Sequence, residues 1–400
     1  MIKKLKSLGP GLLFAGAAIG VSHLVQSTRA GADYGFSLLW ALFLINIIKY
    51  PFFQFGPRYA QATGNSLLDG YQKLGKGFLI AYFILTLATM FTIQTAVTIV
   101  TAGLATTLFG LNLGLETWSI IITLICAVIL IIGKFKVLNQ LMKVIIITLT
   151  ISTILAVFFA FNNNTHPIQL TQMLPKEGIG IAFLIAFMGW MPAPLDISIW
   201  HSLWETEKRN NISVKSIKLF DFNTGYFTTI ILGVAFITLG AIVMYPSGES
   251  FSPKGGKFAN QLINLYQKSL GSNFTIVIAI AAFTTMFSTT LTTLDASPRA
   301  LEKTTSLLFS KNNSYKYWMA ILIAGTIIIL SLLLSEMGLL IKIATVLSFL
   351  TAPFYAIANY ILITSKHTPN FAQPNWLMKL FSLISIVLLF AFSIWYLTTL

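Results

Sequence analysis

The sequence predicts an all-α integral membrane protein with about eleven transmembrane helices. Three observations carry that expectation. First, 56% of the 400 residues are hydrophobic and only 10% are charged, with a mean hydropathy of +0.80. Soluble domains carry about 25% charged residues, and a chain this apolar would present large greasy patches to water. Second, apolar runs long enough to cross roughly 30 Å of hydrocarbon recur along the whole chain. Third, Lys and Arg gather in alternate connections, as the positive-inside rule requires.

The runs fall near 10–31, 35–60, 78–108, 117–133, 138–161, 178–203, 223–245, 272–294, 316–335, 338–363 and 377–398. The longest connections, about 161–177, 204–221, 246–271 and 295–315, leave no room for a soluble domain, so we expect one transmembrane domain over 1–400. If the N-terminus is inside, the inward connections carry Lys3, Lys4, Lys6, Arg58, Lys73, Lys76, Lys208, Arg209, Lys215, Lys218, Arg299 and Lys303, among others. The outward ones carry only Arg29, Lys176, Lys254, Lys257 and Lys268. The N-terminus is therefore expected in the cytoplasm and the C-terminus outside, in a bacterial plasma membrane.

The net charge of +14 follows from this loop pattern. No basic face or nucleic-acid motif accompanies it, so no nucleic-acid partner is expected. Cys126 is the sole cysteine, which excludes a disulfide or a cysteine metal cluster within one chain. Phosphate loops, nucleophile elbows, HExxH and CxxC motifs are all missing. Neither an enzyme nor a cofactor is expected. The expected partners are the lipid bilayer and a small inorganic ion, with the oligomeric state left open.

Two of the runs are interrupted. The first contains Gly9-Pro10-Gly11, Gly16, Gly20, Val21, Ser22 and His23; the sixth contains Gly189, Trp190, Met191, Pro192, Ala193, Pro194, Leu195, Asp196 and Ser198. Gly weakens a helix, and Pro removes a backbone donor and clashes with the preceding turn. At membrane depth, the exposed backbone survives only where it lines a cavity or is satisfied by protein. Each interrupted run begins a set of five, as expected for inverted repeats with substrate between them. The repeats would cover about 9–161 and 177–363, with an extra helix at about 377–398. The reading that follows is a secondary transporter; ordinary kinks are the bland alternative.

Ionisable groups inside apolar runs add to this, because they are expensive in a bilayer. His23 lies in the first break, and Asp196 and His201 lie beyond the second. Lys49 and Lys342 read as snorkelling or structurally paired lysines, and Asp295 with Arg299 as an i,i+4 surface pair. Hydroxyl-rich stretches, Thr92 to Thr101 with Gln94 and Thr284 to Thr293 with Thr285 and Ser288, suit a polar pathway or a hard-cation site. Back-bonding to their own helices is the plainer account.

Several stretches resemble the NRAMP family of proton-coupled divalent metal transporters. They are Gly9-Pro10, the run Arg29-Ala-Gly-Ala-Asp-Tyr-Gly-Phe-Ser-Leu-Leu-Trp40, Gly56-Pro57-Arg58-Tyr59-Ala60, Thr63-Gly64, and Leu347 to Pro353-Phe354. The resemblance implies a LeuT-type fold, two inverted five-helix repeats plus an eleventh helix. It also implies which residues should bind metal, and here the chain departs. The family's Asp-Pro-Gly-Asn motif falls on Gly20-Val21-Ser22-His23. Its Met-Pro-His motif falls either on Met191-Pro192-Ala193 or on Ala193-Pro194-Leu195. Gln94 and Val97 stand near the family's acidic third-helix positions.

Divalent cations give up water only for strong ligands, normally including a carboxylate. Broken helices instead offer the positive ends of their second halves, suited to an anion. The expected substrate is therefore a small inorganic anion such as bicarbonate, held by Gly20, Val21, Ser22, His23 and the backbone of Gly189, Trp190, Met191, Pro192 and Ala193. Coupling to H⁺ or Na⁺ would involve His23, Asp196, His201, Gln94, Thr285 and Ser288. The alternative is a divalent metal site rebuilt from Asp196, His23 and Met191.

Overall fold

In the computed structural model the described residues are 9–398, excepting 112, 177, 211, 249–250, 253–254, 271–274, 311–313 and 334–336. Lys3, Lys4, Lys6 and Lys254 lie outside them. Among the described residues the regular structure is helical throughout.

The first predicted run is α1 (Pro10–Ala18), a π-helical segment (Val21–Ser27) and α2 (Thr28–Tyr34). Then come α3 (Leu39–Thr63), the short α4 (Leu67–Leu74), α5 (Lys76–Phe109) and α6 (Leu115–Asn162). The sixth run is α7 (Gly178–Trp190) and α8 (Ile197–Arg209), followed by α9 (Phe220–Leu239) with a π-helical turn at Gly240–Met244. The remainder is α10 (Gly255–Leu270), α11 (Thr275–Phe309), α12 (Tyr315–Leu333), α13 (Met337–Thr364) and α14 (Trp376–Leu397).

Nine helical stretches among the described residues have the length and apolarity to cross a membrane. The other two predicted spans are the α7/α8 pair and the first part of α11. Large apolar side chains such as Ile132, Ile179 and Leu332, exposed by 77%, 86% and 76%, face outward where lipid is the solvent.

The structure differs from the sequence expectation in two places. The fourth and fifth runs lie in one helical stretch of 48 residues, with the apolar parts at Leu115–Ile132 and Met142–Asn162. The connection, Lys134-Phe135-Lys136-Val137, contains no proline to interrupt the helix. Pro298, just beyond the eighth run, lies inside α11. Arg299 grips Asp295 one turn back with two hydrogen bonds of 2.9 and 3.1 Å, bracing the turn that proline weakens. The connection expected at 246–271 contains α10, which buries Phe258, Leu262 and Leu265.

Close backbone packing places the broken helices. A Cβ on Gly225 of α9 would lie 2.0 Å from the Gly11 carbonyl oxygen, and one on Gly11 would lie 2.1 Å from the Asp221 oxygen. A Cβ on Gly189 would meet the Thr345 oxygen at 2.2 Å, seating α7 on α13. These contacts admit only hydrogen, so α1 and α7 are pinned at fixed depths beside their neighbours.

Candidate functional site

Both interruptions are real breaks, and they meet. α1 stops at Ala18, and after Ile19 and Gly20 the π-helical half begins. α7 stops at Trp190, and six residues separate it from α8. Ser27 Oγ lies 3.8 Å from Met191 Sδ, joining one break to the other. Gly16 to Thr28 are buried, as are Met191, Pro192 and Ala193, so the meeting point is closed on all sides.

In the first break the carbonyls freed by helix interruption are taken up internally. The Ser22 hydroxyl donates to the Ala18 oxygen and lies 2.7 Å from His23 Nδ1. His23 Nε2 lies 2.9 Å from the Thr229 carbonyl oxygen, and its Nδ1 3.2 Å from that of Ala18. Thr289 Oγ1 reaches the Gly16 and Ile19 oxygens at 3.2 and 3.4 Å and fills the space where a Gly20 Cβ would stand. What the break leaves unused within its own helix is the leading amides of Val21 and Ser22.

The second break holds a group whose partners the sequence did not give. Lys49, fully buried on α3, donates to the carbonyl oxygens of Met188, Gly189 and Ala193 at 2.9, 2.7 and 3.2 Å. It is neither a snorkelling lysine nor one half of a direct ion pair. Its three protons match three carbonyls at the negative end of α7, where a mobile cation would otherwise sit. Trp190 Nε1 donates to Ser348 Oγ at 2.8 Å, fixing the last turn of α7 against α13. Lys342, in contrast, is exposed.

The remaining predicted residues are placed as follows. Asp196 is buried at the head of α8 with no capping bond, and its Oδ1 has no hydrogen-bond partner. His201 lies among aromatic rings, with centroids 5.7 Å from both Phe14 and Phe222, and its Nδ1 is unpartnered. Gln94 bonds Thr293 at 2.6 Å, and Thr101 bonds Thr290 at 2.8 Å, stitching α5 to α11. Thr285 and Ser288 donate to the Ala281 and Thr285 carbonyls of their own helix. Among the described residues, no group of three His, Cys, Asp or Glu side chains is placed to hold a metal ion.

At one end of the molecule a single carboxylate ties both broken helices together. Asp221, at the start of α9, accepts from the Gly9 amide with both oxygens, at 3.0 and 3.1 Å. Lys208 near the end of α8 reaches it at 3.4 Å. A cavity of about 520 Å³ lies beside this latch, lined by Gln61, Glu205, Arg209, Lys218 and Asp221. Hydrogen bonds to a charged group contribute about 1.5–3 kcal/mol, while the Lys208 arm, 34% exposed, adds little. Asp221→Asn is therefore expected to raise amide hydrogen exchange over residues 9–13 about tenfold. Unchanged exchange there would remove the latch.

The family model described as Natural resistance-associated macrophage protein-like matches residues 11–399. This chain belongs to the Nramp family. A Pasteurella multocida (strain Pm70) relative, "Uncharacterized protein PM0681", is 35% identical over 98% of the chain and 92% of its own length. A mutant of the Eremococcus coleocola manganese transporter shares the fold with a TM-score of 0.75 at 12% identity, covering 98% of this chain and 85% of that one. Mhp1, a nucleobase-cation-symport-1 family transporter, superposes with a TM-score of 0.59 at 14% identity, covering 98% and 93%. The architecture of this Nramp protein is thus the LeuT-type fold, two inverted five-helix repeats and an eleventh helix, and the chain is a multi-pass membrane transporter.

Proposed function

We propose that this Nramp-family transporter carries a small inorganic anion, bicarbonate-like, in a secondary active cycle. The observation that carries this reading is Lys49. Its side-chain nitrogen already fills the carbonyl cage of the second break, with three donors for three oxygens. Gly20 supplies no carboxylate to the first break, where the leading amides of Val21 and Ser22 head the second half-helix. A carbonyl cage already filled on one side and helix amides on the other suit an oxyanion and oppose a bare divalent cation. Ser22 and His23 would join the anion by turning from the carbonyls they now hold. The lysine-rich connections place the N-terminus and the Asp221 latch on the cytoplasmic side in this reading.

Uptake by proteoliposomes tests it. Labelled bicarbonate should accumulate with the purified protein and not with empty vesicles. Robust Mn²⁺ uptake with no response to bicarbonate would sink the reading.

One observation favours a metal instead. Met191 Sδ and His23 Cδ2 converge on Gly233, at 3.7 and 3.8 Å from where its Cβ would stand, a soft donor beside an imidazole. Both nitrogens of that ring now lie against protein oxygen atoms, which weakens the case. Isothermal titration with Mn²⁺ separates the two, and Asp196→Ala should abolish binding only if the metal reading holds.

A further inference from the structure

Four buried polar atoms gather near Asp196. Asp196 Oδ1, Tyr82 Oη, Thr86 Oγ1 and Trp200 Nε1 are all buried and all without a hydrogen-bond partner. Their residues are exposed by 6%, 0%, 4% and 2%. They come from three places: Tyr82 and Thr86 from α5, Asp196 from the break, and Trp200 from α8. Thr86 and Trp200 lie in side-chain hydrogen-bonding range of Tyr82, with the Asp196 charge nearby, although none of these contacts closes to direct hydrogen-bond geometry. Tyr355 of α13 closes the group, its ring 6.2 Å from that of Tyr82 and edge-on at 74°.

Unpaired polar atoms are expensive where no water can reach them, so four together call for an occupant. Thr86 makes the point locally. Thr89, Thr101 and Thr106 of the same helix each donate to a carbonyl four residues back, whereas Thr86 does not. Lys49 acts on Asp196 electrostatically. Its three protons are committed to carbonyls, so it does not satisfy the carboxylate by contact.

We propose that Asp196, Tyr82 and Thr86 coordinate a small hard cation of the Na⁺ class, the coupling ion of the transport cycle. The donors are a carboxylate, a phenol and a hydroxyl, all oxygen, with no thioether or imidazole that would select a transition metal. The Trp200 N–H is left beside Tyr82, where it can hold the phenol oxygen towards the ion. Because Asp196 heads α8, occupancy of this site bears directly on the position of the second half-helix. The coupling role rests on the transport reading above; the binding site does not.

The test uses the full-length protein in detergent without substrate, at constant ionic strength with NaCl exchanged for choline chloride. Na⁺ should raise the thermal midpoint of the wild type saturably. Asp196→Asn should weaken the apparent Na⁺ affinity at least about tenfold, and Tyr82→Phe and Thr86→Val should each weaken it less. These changes keep size and shape, and any variant's fold is checked by its midpoint in choline. A wild type indifferent to Na⁺, or an Asp196→Asn variant with an undiminished response, overturns the site. In proteoliposomes, bicarbonate uptake independent of Na⁺ overturns the coupling role. A saturable Na⁺ shift without bicarbonate uptake upholds the site while rejecting the proposed substrate.

Discussion

Lys49→Met is expected to abolish transport and to lower the stability of the protein by about 3 kcal/mol. Methionine keeps the length and apolar stem of lysine but removes the ammonium. The Met188, Gly189 and Ala193 carbonyls then lose their donor at a depth where water does not replace it. Each unpaired carbonyl costs about 1–3 kcal/mol, partly offset because a buried charge no longer has to be desolvated. Lys49→Arg should not rescue, since a planar fork does not fit a cage built for three converging bonds. Thermal unfolding in detergent and bicarbonate uptake measure the two effects. A Lys49→Met protein with wild-type uptake would remove the foundation of the anion reading.

Gly225→Val should be the most damaging packing change. The Cβ would sit 2.0 Å from the Gly11 backbone oxygen, and backbone cannot swing aside as a side chain would. Overpacking of a tight contact costs about 1–3 kcal/mol even where side chains can yield, so about 3 kcal/mol or more is expected here. The consequence is displacement of α1 from α9, and with it loss of the His23–Thr229 bond that ties the first break to the same helix. The yield of monodisperse protein and its thermal midpoint are the measurements. A variant as stable as the wild type would show that α1 does not need this seat.

What the sequence made legible and what it hid divide along a physical line. Apolar runs announce spans because lipid demands about 20 such residues in succession. Gly20 and the Pro192–Pro194 pair announced the two breaks because those residues perturb their own backbone. The Asp295–Arg299 pairing was readable because four residues make one helical turn, but not its place, since the carboxylate expected at the surface is buried. Lys49 was not readable in this way. Its partners are main-chain carbonyls, which every residue has, supplied by a helix more than a hundred positions away. The hydroxyl-rich stretches were visible, but only coordinates show that Thr285 and Ser288 turn back on their own helix while Thr86 does not. The same holds for Ser22 and His23, whose location in the first break was evident and whose present partners were not.

The Asp221 latch has a consequence for how faithfully such a machine keeps its two compartments apart. One carboxylate meets both the start of α1 and the end of α8; its bonds to the Gly9 amide hold most of the fastening, while the exposed Lys208 arm can release into solvent at little cost. Swinging α1 away from α9 would forfeit the charged bonds to the Gly9 amide. States open on that side alone, through which ions would slip downhill without doing work, are thereby penalised. Tight energetic coupling across the bilayer would thus begin not where the ions bind but at a fastening shared by the two helices that must move.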